Sequence, residues 1–215
     1  MKGFFITLEG TDGSGKSTQL KYLTRSLNEL GYSVTVTREP GGCRLSEEIR
    51  AMVLSAKNSE LCDMGELMLY EAARAQHVSQ VIKPALEQGH IVICDRFTHS
   101  TLAYQGYARG LDISLIQSLN SAAVQGVTPD MTVMLLVAPE VSFDRKGGVD
   151  TTDRMELAGN SFHQAVYNGY CDMAQKDPNI FAIHTAQYKK QQTAAIILEQ
   201  VKKRIETAYN AQEGK

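Results

Sequence analysis

The stretch Gly10-Thr11-Asp12-Gly13-Ser14-Gly15-Lys16-Ser17-Thr18 has residue types and a spacing that can hold a polyphosphate. It fits the pattern G-x-x-x-x-G-K-[ST], in which glycines let successive backbone N–H groups turn toward one point at a helix N-terminus. Lys16 adds a mobile cation for the outer phosphates, and the Ser17 hydroxyl is an oxygen ligand suited to Mg²⁺. An apolar run (Phe4, Phe5, Ile6, Leu8) precedes the motif and a helix-like run (Leu20, Leu23, Leu27, Leu30) follows it. That strand–turn–helix context separates a phosphate loop from a glycine-rich turn with a stray lysine.

Further clusters could carry chemistry beside it. Arg38-Glu39-Pro40-Gly41-Gly42 is a fixed turn able to aim Arg38 and the Pro40 ring into a cleft; alone, it is equally a surface turn. Asp95-Arg96 places an acid suited to Mg²⁺ beside a planar fork suited to phosphate, with a structural ion pair as the alternative. Tyr70 and Arg74 lie four apart and share a helix face, so a ring could stack on a base while the arginine reads a carbonyl. The segment from Ser100 to Gly110, with Thr101, Tyr104 and Gln105, offers neutral donors and acceptors. Standing alone, the pair reads more readily as a core tyrosine and a solvated arginine, and the segment as a capped helix with surface polar residues. The five histidines show no ligand spacing, and His99 reads as a solvated loop residue.

Elements that could position these groups alternate along the chain. Continuously apolar strands are expected at 4–9, 33–38, 91–95, 131–137 and 180–184. Helical patterns cover 16–30, 45–54, 66–88, 113–124, 139–146, 155–175 and 193–209, with Gly31 and Gly89 as C-terminal caps. The alternation implies an α/β fold, a mainly parallel five-stranded sheet with helices on both faces and ligands at the carboxyl ends of the strands. The 215 residues, 43% of them hydrophobic, suit one domain, 1–215. The polar stretch 147–153 is a candidate mobile lid, spanning about 146–154 with its flanks. A net charge of −2 argues against a nucleic-acid partner or an anionic membrane surface. No apolar stretch approaches membrane-spanning length, and the first strand begins at once, which points to the cytoplasm. Four cysteines without paired spacing make disulfides and zinc unexpected.

Taken in order, these clusters resemble the bacterial thymidylate kinases, P-loop nucleoside monophosphate kinases, over nearly the whole chain. The resemblance rests on 10–18, Thr37 to Gly42, Glu48-Ile49-Arg50, Tyr70 to Arg74, Asp95-Arg96-Phe97 and Ala103 to Gly110. It implies ATP-dependent phosphorylation of dTMP to dTDP with Mg²⁺, commonly in a homodimer. It further implies that Gly10, Gly13, Ser14, Gly15, Lys16, Ser17 and Thr18 cradle the donor phosphates and that Asp12 meets the sugar 3′-hydroxyl. Tyr70, where the family usually has Phe, would stack on thymine and Arg74 would read its O4. Thr101 and Gln105, beside Ser100, would meet the base edge, and Tyr104 would crowd the 2′ position. Arg38, with Glu39 and Pro40 behind it, Arg50 and Arg96 would clamp the acceptor phosphate. Bacterial members without an arginine in the phosphate loop usually carry arginines inside the lid; here only Arg145, Lys146 and Arg154 flank it. Arg154 or Arg145 is therefore the expected lid cation. The rivals are a kinase for another nucleotide or deoxynucleoside, and a nucleotide-binding switch. A GTP switch would carry Asn-Lys-x-Asp, which is absent.

Overall fold

The computed structural model describes residues 3–146 and 153–213. Five strands, β1 (Phe4–Glu9), β2 (Val34–Arg38), β3 (Ile91–Asp95), β4 (Met131–Leu136) and β5 (Ile180–His184), form one parallel sheet in the order β2-β3-β1-β4-β5. The chain leaves β1 toward one edge and returns to build the other. The order in which strands are added therefore reverses at β1, where a ligand crevice opens at the carboxyl ends.

Strand period and burial explain the layers. Phe4, Ile6 and Leu8 of β1 point to one face and pack with Ile91, Ile93, Val133 and Leu135 against α1 (Lys16–Glu29) and α9 (Lys190–Glu213). Phe5, Val92 and Cys94 point to the other face and meet Phe97, Val78 and Ile82. Met134 and Leu136 pack there against Phe162, Val166 and Tyr170 of α8 (Asn160–Lys176). Both faces of β1, β3 and β4 are thus covered, which is why those strands read as unbroken apolar runs.

The remaining helices are α2 (Arg44–Leu54), α3 (Asp63–His77), α4 (Lys83–Glu87), α5 (Thr98–Thr101), α6 (Ile113–Ala123) and α7 (Pro139–Lys146). Gly31 and Gly89 have φ of +88° and +79°, as helix-ending glycines do.

Four expectations need correction. The pattern read as 66–88 begins at Asp63 and passes through a widened turn, Val78–Ile82, before α4. The pattern read as 155–175 is interrupted at Gly159, φ +88°, between a short 3₁₀ turn and α8. The last helix starts at Lys190, because its polar first turn carries no periodic signal. The segment 98–108 is helical throughout, α5 running into a second widened stretch, Leu102–Ala108. Its hydroxyl and amide side chains left it out of the periodic patterns, although the segment taken alone reads as a capped helix. Of the expected lid, residues 147–152 and the Lys146 side chain lie outside the described residues.

Candidate active site

The turn from Gly10 to Gly15 joins β1 to α1 with φ of +136° at Gly10, +76° at Gly13 and +100° at Gly15. A Cβ on Gly10 would collide with the Leu135 carbonyl oxygen, so glycine is required there by space as well as by conformation. Lys16 folds back over this loop, its Nζ donating to the carbonyls of Gly10 (3.0 Å) and Thr11 (2.9 Å). Burial, reinforced by the Arg96 cation, lowers its pKa from 10.5 to about 8, against the pull of Asp12, Asp95 and Glu9.

Beyond β3 the chain turns sharply at Arg96, whose φ of +72° is uncommon for a side chain of that size. Glu9, buried at the end of β1, holds the turn: it accepts from the Phe97 N–H (2.7 Å) and the Ser100 hydroxyl (2.6 Å). Arg96 is thereby aimed inward. It donates to Asp12 (2.6 Å), the Gly10 carbonyl (3.0 Å), Ser100 and the Tyr170 hydroxyl, and lies 5.2 Å above the Tyr104 ring. Asp95, one residue earlier, carries a buried Oδ1 that accepts no hydrogen bond among the described residues. It shares a cavity with the exposed Ser17. A carboxylate oxygen and a hydroxyl are hard donors and fit Mg²⁺, which binds through one or two protein oxygens plus substrate phosphates. Among the described residues no group of three or more His, Cys, Asp or Glu suits a fully protein-built metal cage.

The second side of the cleft is organised by Arg74 of α3, fully buried. Its Nε donates to Glu39 (2.8 Å) and one terminal nitrogen to Glu71 (2.8 Å) and Asn120 (2.6 Å). The other terminal nitrogen donates to Thr101 (2.9 Å). A guanidinium has five N–H groups, so one remains for a ligand. Glu39 is itself shared with His77 at 3.0 Å, and His77 meets Thr37 at 2.6 Å. Tyr70 stands one helical turn before Arg74, half-buried, with its hydroxyl unpartnered among the described residues. Burial and the carboxylates of Glu66 and Asp153 hold its phenol protonated.

Two cavities result. One is walled by Pro40, Tyr70, Arg74, Thr101, Tyr104 and Gln105. The other lies over the glycine loop and is walled by Lys16, Ser17, Arg38, Asp95 and Arg145. Asp12, Glu39, Arg50 and Arg96 line both. Arg38 is exposed and paired with Glu47 at 2.7 Å. Arg50 donates to the Pro40 carbonyl (2.9 Å), and burial together with the neighbouring Arg38 cation lowers its pKa. A half-buried guanidinium beside a second cation makes a ready seat for an anion.

The chain has counterparts among known proteins. Residues 8–196 match the family model described as thymidylate kinase. The chain belongs to the thymidylate kinase family. It is 46% identical over 215 residues to a thymidylate kinase of Geobacter sp. (strain M21), covering 97% of this chain and 96% of that one. It is 44% identical over 207 residues to that of Trichlorobacter lovleyi, covering 94% and 98%. The crystal structure of thymidylate kinase from Ehrlichia chaffeensis superposes with a TM-score of 0.76 at 35% identity, covering 94% of this chain and 99% of that one. The chain has the α/β P-loop kinase fold and is a phosphotransferase by family.

The expected residues mostly converge. Gly10 to Ser17 form the loop, and Tyr70, Arg74, Thr101, Tyr104 and Gln105 wall one chamber. Ser100 is drawn to Glu9 and Arg96 at the floor of the first cavity. The two flanking arginines part company. Arg145 lies on the wall of the cavity over the glycine loop, held by Thr185 at 3.2 Å. Arg154 faces the other way, donating to the Val53 carbonyl (3.1 Å) and to buried Glu66 (2.5 Å). Sequence reasoning missed Glu9, Glu66, Glu71, Asn120 and Tyr170, which hold the ligand-facing groups. It also missed the wall formed by Tyr188, Lys189 and Lys190. A buried Glu inside apolar surroundings at 9 and 66 was the available signal.

No helix among the described residues is long and apolar enough to cross a membrane.

Proposed function

We propose that this thymidylate kinase transfers the γ-phosphoryl group of ATP to a phosphate oxygen of dTMP, giving dTDP and ADP. ATP lies with its phosphates on the glycine loop, and dTMP occupies the chamber of Tyr70 and Arg74. The observation that carries this reading is the shared wall. Asp12, Glu39, Arg50 and Arg96 line both cavities, so two nucleotides placed in them meet phosphate to phosphate.

The acceptor's second phosphate ionisation lies near pKa ~6, so its oxygen is already a nucleophile at neutral pH and needs no protein base. What remains is to hold two polyanions in line and offset their repulsion. Lys16 and Arg96 supply positive charge at the junction, while Arg38 and Arg50 seat the acceptor phosphate. Ser17 and Asp95 would hold Mg²⁺, which would supply positive charge to the donor phosphates. Arg145, on the donor wall, is the flanking cation assigned to the transferring group; Arg154 serves the acceptor side through Glu66. Asp12, paired with Arg96 at 2.6 Å and 3.8 Å from Lys16, places both cations beside the sugar. Tyr104 closes the sugar's 2′ side and selects deoxyribose.

The enzyme works as a homodimer in the cytoplasm. Exposed Met64 and Met68 of α3 and Leu115 of α6 support an apolar contact between copies.

Coupled ADP-release kinetics over dTMP, dUMP, dCMP, dGMP and AMP test the assignment. Expected is highest kcat/KM with dTMP. Equal or better turnover of a non-thymine acceptor contradicts it.

A further inference from the structure

Gln105 ends its side chain on the wall of the acceptor chamber, and its amide can present either an oxygen or an N–H₂ to a ligand. Nothing in Gln105 itself chooses. Glu66 of α3 is wholly buried and accepts the Gln105 Nε2 at 2.7 Å. It also receives Arg109 at 3.1 Å and Arg154 at 2.5 Å. A carboxylate only accepts hydrogen bonds, so the amide nitrogen must face Glu66 and the oxygen must face away. Among the described residues that oxygen receives no hydrogen bond and is not sealed from the cavity.

We propose that Glu66 sets the base specificity of the enzyme, as a positioning residue that fixes Gln105 with its carbonyl oxygen toward the base. This rests on the reading that the base lies against Gln105. The chamber wall then offers three groups of fixed polarity. Arg74 has one spare N–H, held by its anchors on Glu39, Glu71, Asn120 and Thr101. Gln105 presents an acceptor. Thr101 accepts from Arg74, so its hydroxyl proton is free to point at the ligand. Donor, acceptor, donor is the complement of thymine's edge, whose O4, N3–H and O2 run acceptor, donor, acceptor. Cytosine shows an amino group and an unprotonated N3 instead. Its N3 would face the Gln105 oxygen, and its amino group would face the Arg74 N–H. Two buried carboxylate systems thereby act on the base indirectly, and a site built this way rejects the wrong edge by leaving polar groups unpaired.

The test is the ratio of kcat/KM for dTMP over dCMP in Glu66→Gln and in Gln105→Met, with thermal unfolding of each. In Glu66→Gln the residue at 66 can donate as well as accept, so the Gln105 amide can turn over. The ratio should fall about tenfold, the size of one neutral hydrogen bond exchanged for a mismatch. Gln105→Met should narrow it by a similar factor, and the double variant should be no worse than either single one. A purely structural Glu66 would lower the melting temperature and depress both substrates equally, leaving the ratio at its wild-type value; that result overturns the inference. If Gln105→Met also leaves the ratio unchanged, the placement of the base has failed instead. Should Glu66→Gln not fold, Glu66→Asp carries the same test. It keeps the charge beside Arg109 and Arg154 but falls one methylene short of Gln105, and an unchanged ratio there is equally fatal.

Discussion

Arg74→Met removes the base reader and keeps the volume of its stem. The structure sets two separable consequences. Arg74 is 2% exposed, and its ion-pair partners Glu39 and Glu71 have side chains 4% and 8% exposed. Removing the cation strands two carboxylates and the Asn120 oxygen, and breaking a buried pair of this kind costs about 3–5 kcal/mol. For a chain of this size that lowers the melting temperature by roughly 6–20 °C. Separately, the dTMP complex loses one hydrogen bond from a charged donor, about 1.5–3 kcal/mol, or roughly 10- to 150-fold in kcat/KM. The stability loss should depend on pH. Burial already raises the Glu71 pKa, and Arg74 is what opposes it. Without that opposition the folded pKa rises further above the unfolded value, so the folded state holds the extra proton. Stability is then lost as pH rises through the folded pKa. Differential scanning calorimetry of both proteins should show a smaller gap near pH ~5 than near pH ~8. An unchanged melting temperature would refute the energetic role given to the buried cluster. Unchanged dTMP kinetics in a stably folded variant would refute the base-reading role.

Three other outcomes are expected. Lys16, at about 8, loses its charge in the free enzyme as pH rises, so kcat/KM for ATP should fall with a midpoint near 8, whereas kcat should hold to higher pH because bound phosphates favour the cation. The unfolded chain keeps that proton to about 10.5, so this group should make the ligand-free protein relatively more stable between 8 and 10.5, and a calorimetric slope of opposite sign would contradict the burial argument. Gly10→Ala should abolish detectable ATP binding by calorimetry and cost on the order of 1–3 kcal/mol in urea unfolding, since its Cβ meets the Leu135 carbonyl at φ +136°. Chelation of Mg²⁺ should stop turnover, and Ser17→Ala should raise the Mg²⁺ concentration for half-maximal rate about tenfold, as expected for a lost ligand interaction worth roughly 1.4 kcal/mol.

What the chain discloses before folding follows from distance along it. The phosphate loop was legible because all of its working parts fall within nine consecutive positions and the strand and helix beside it are strongly periodic. Tyr70 and Arg74 were legible as a pair because one helical turn joins them. The groups that aim these residues were not, because they are remote. Arg74 reaches Glu39 across 35 positions and Asn120 across 46. Ser100 reaches Glu9 across 91, and Arg154 reaches Glu66 across 88. Arg154 sits at the foot of the expected lid, where sequence position suggests a free cation; a buried carboxylate on another helix decides where it points. The helix at 98–108 was legible only as an alternative reading, for a different reason. Its inward face includes Thr101, Tyr104 and Gln105, polar groups that line the first cavity and so break the apolar pattern that announces a buried helix.

The central claim is that dTMP sits in the Tyr70–Arg74 chamber with its phosphate at the junction lined by Arg50 and Arg96. Difference electron density from a crystal soaked in dTMP tests it directly. The expected map places the thymine ring against Tyr70, O4 within hydrogen-bond reach of Arg74, and the phosphate between the arginines of the shared wall. Density for the nucleotide on the glycine loop, with the chamber empty, would contradict it.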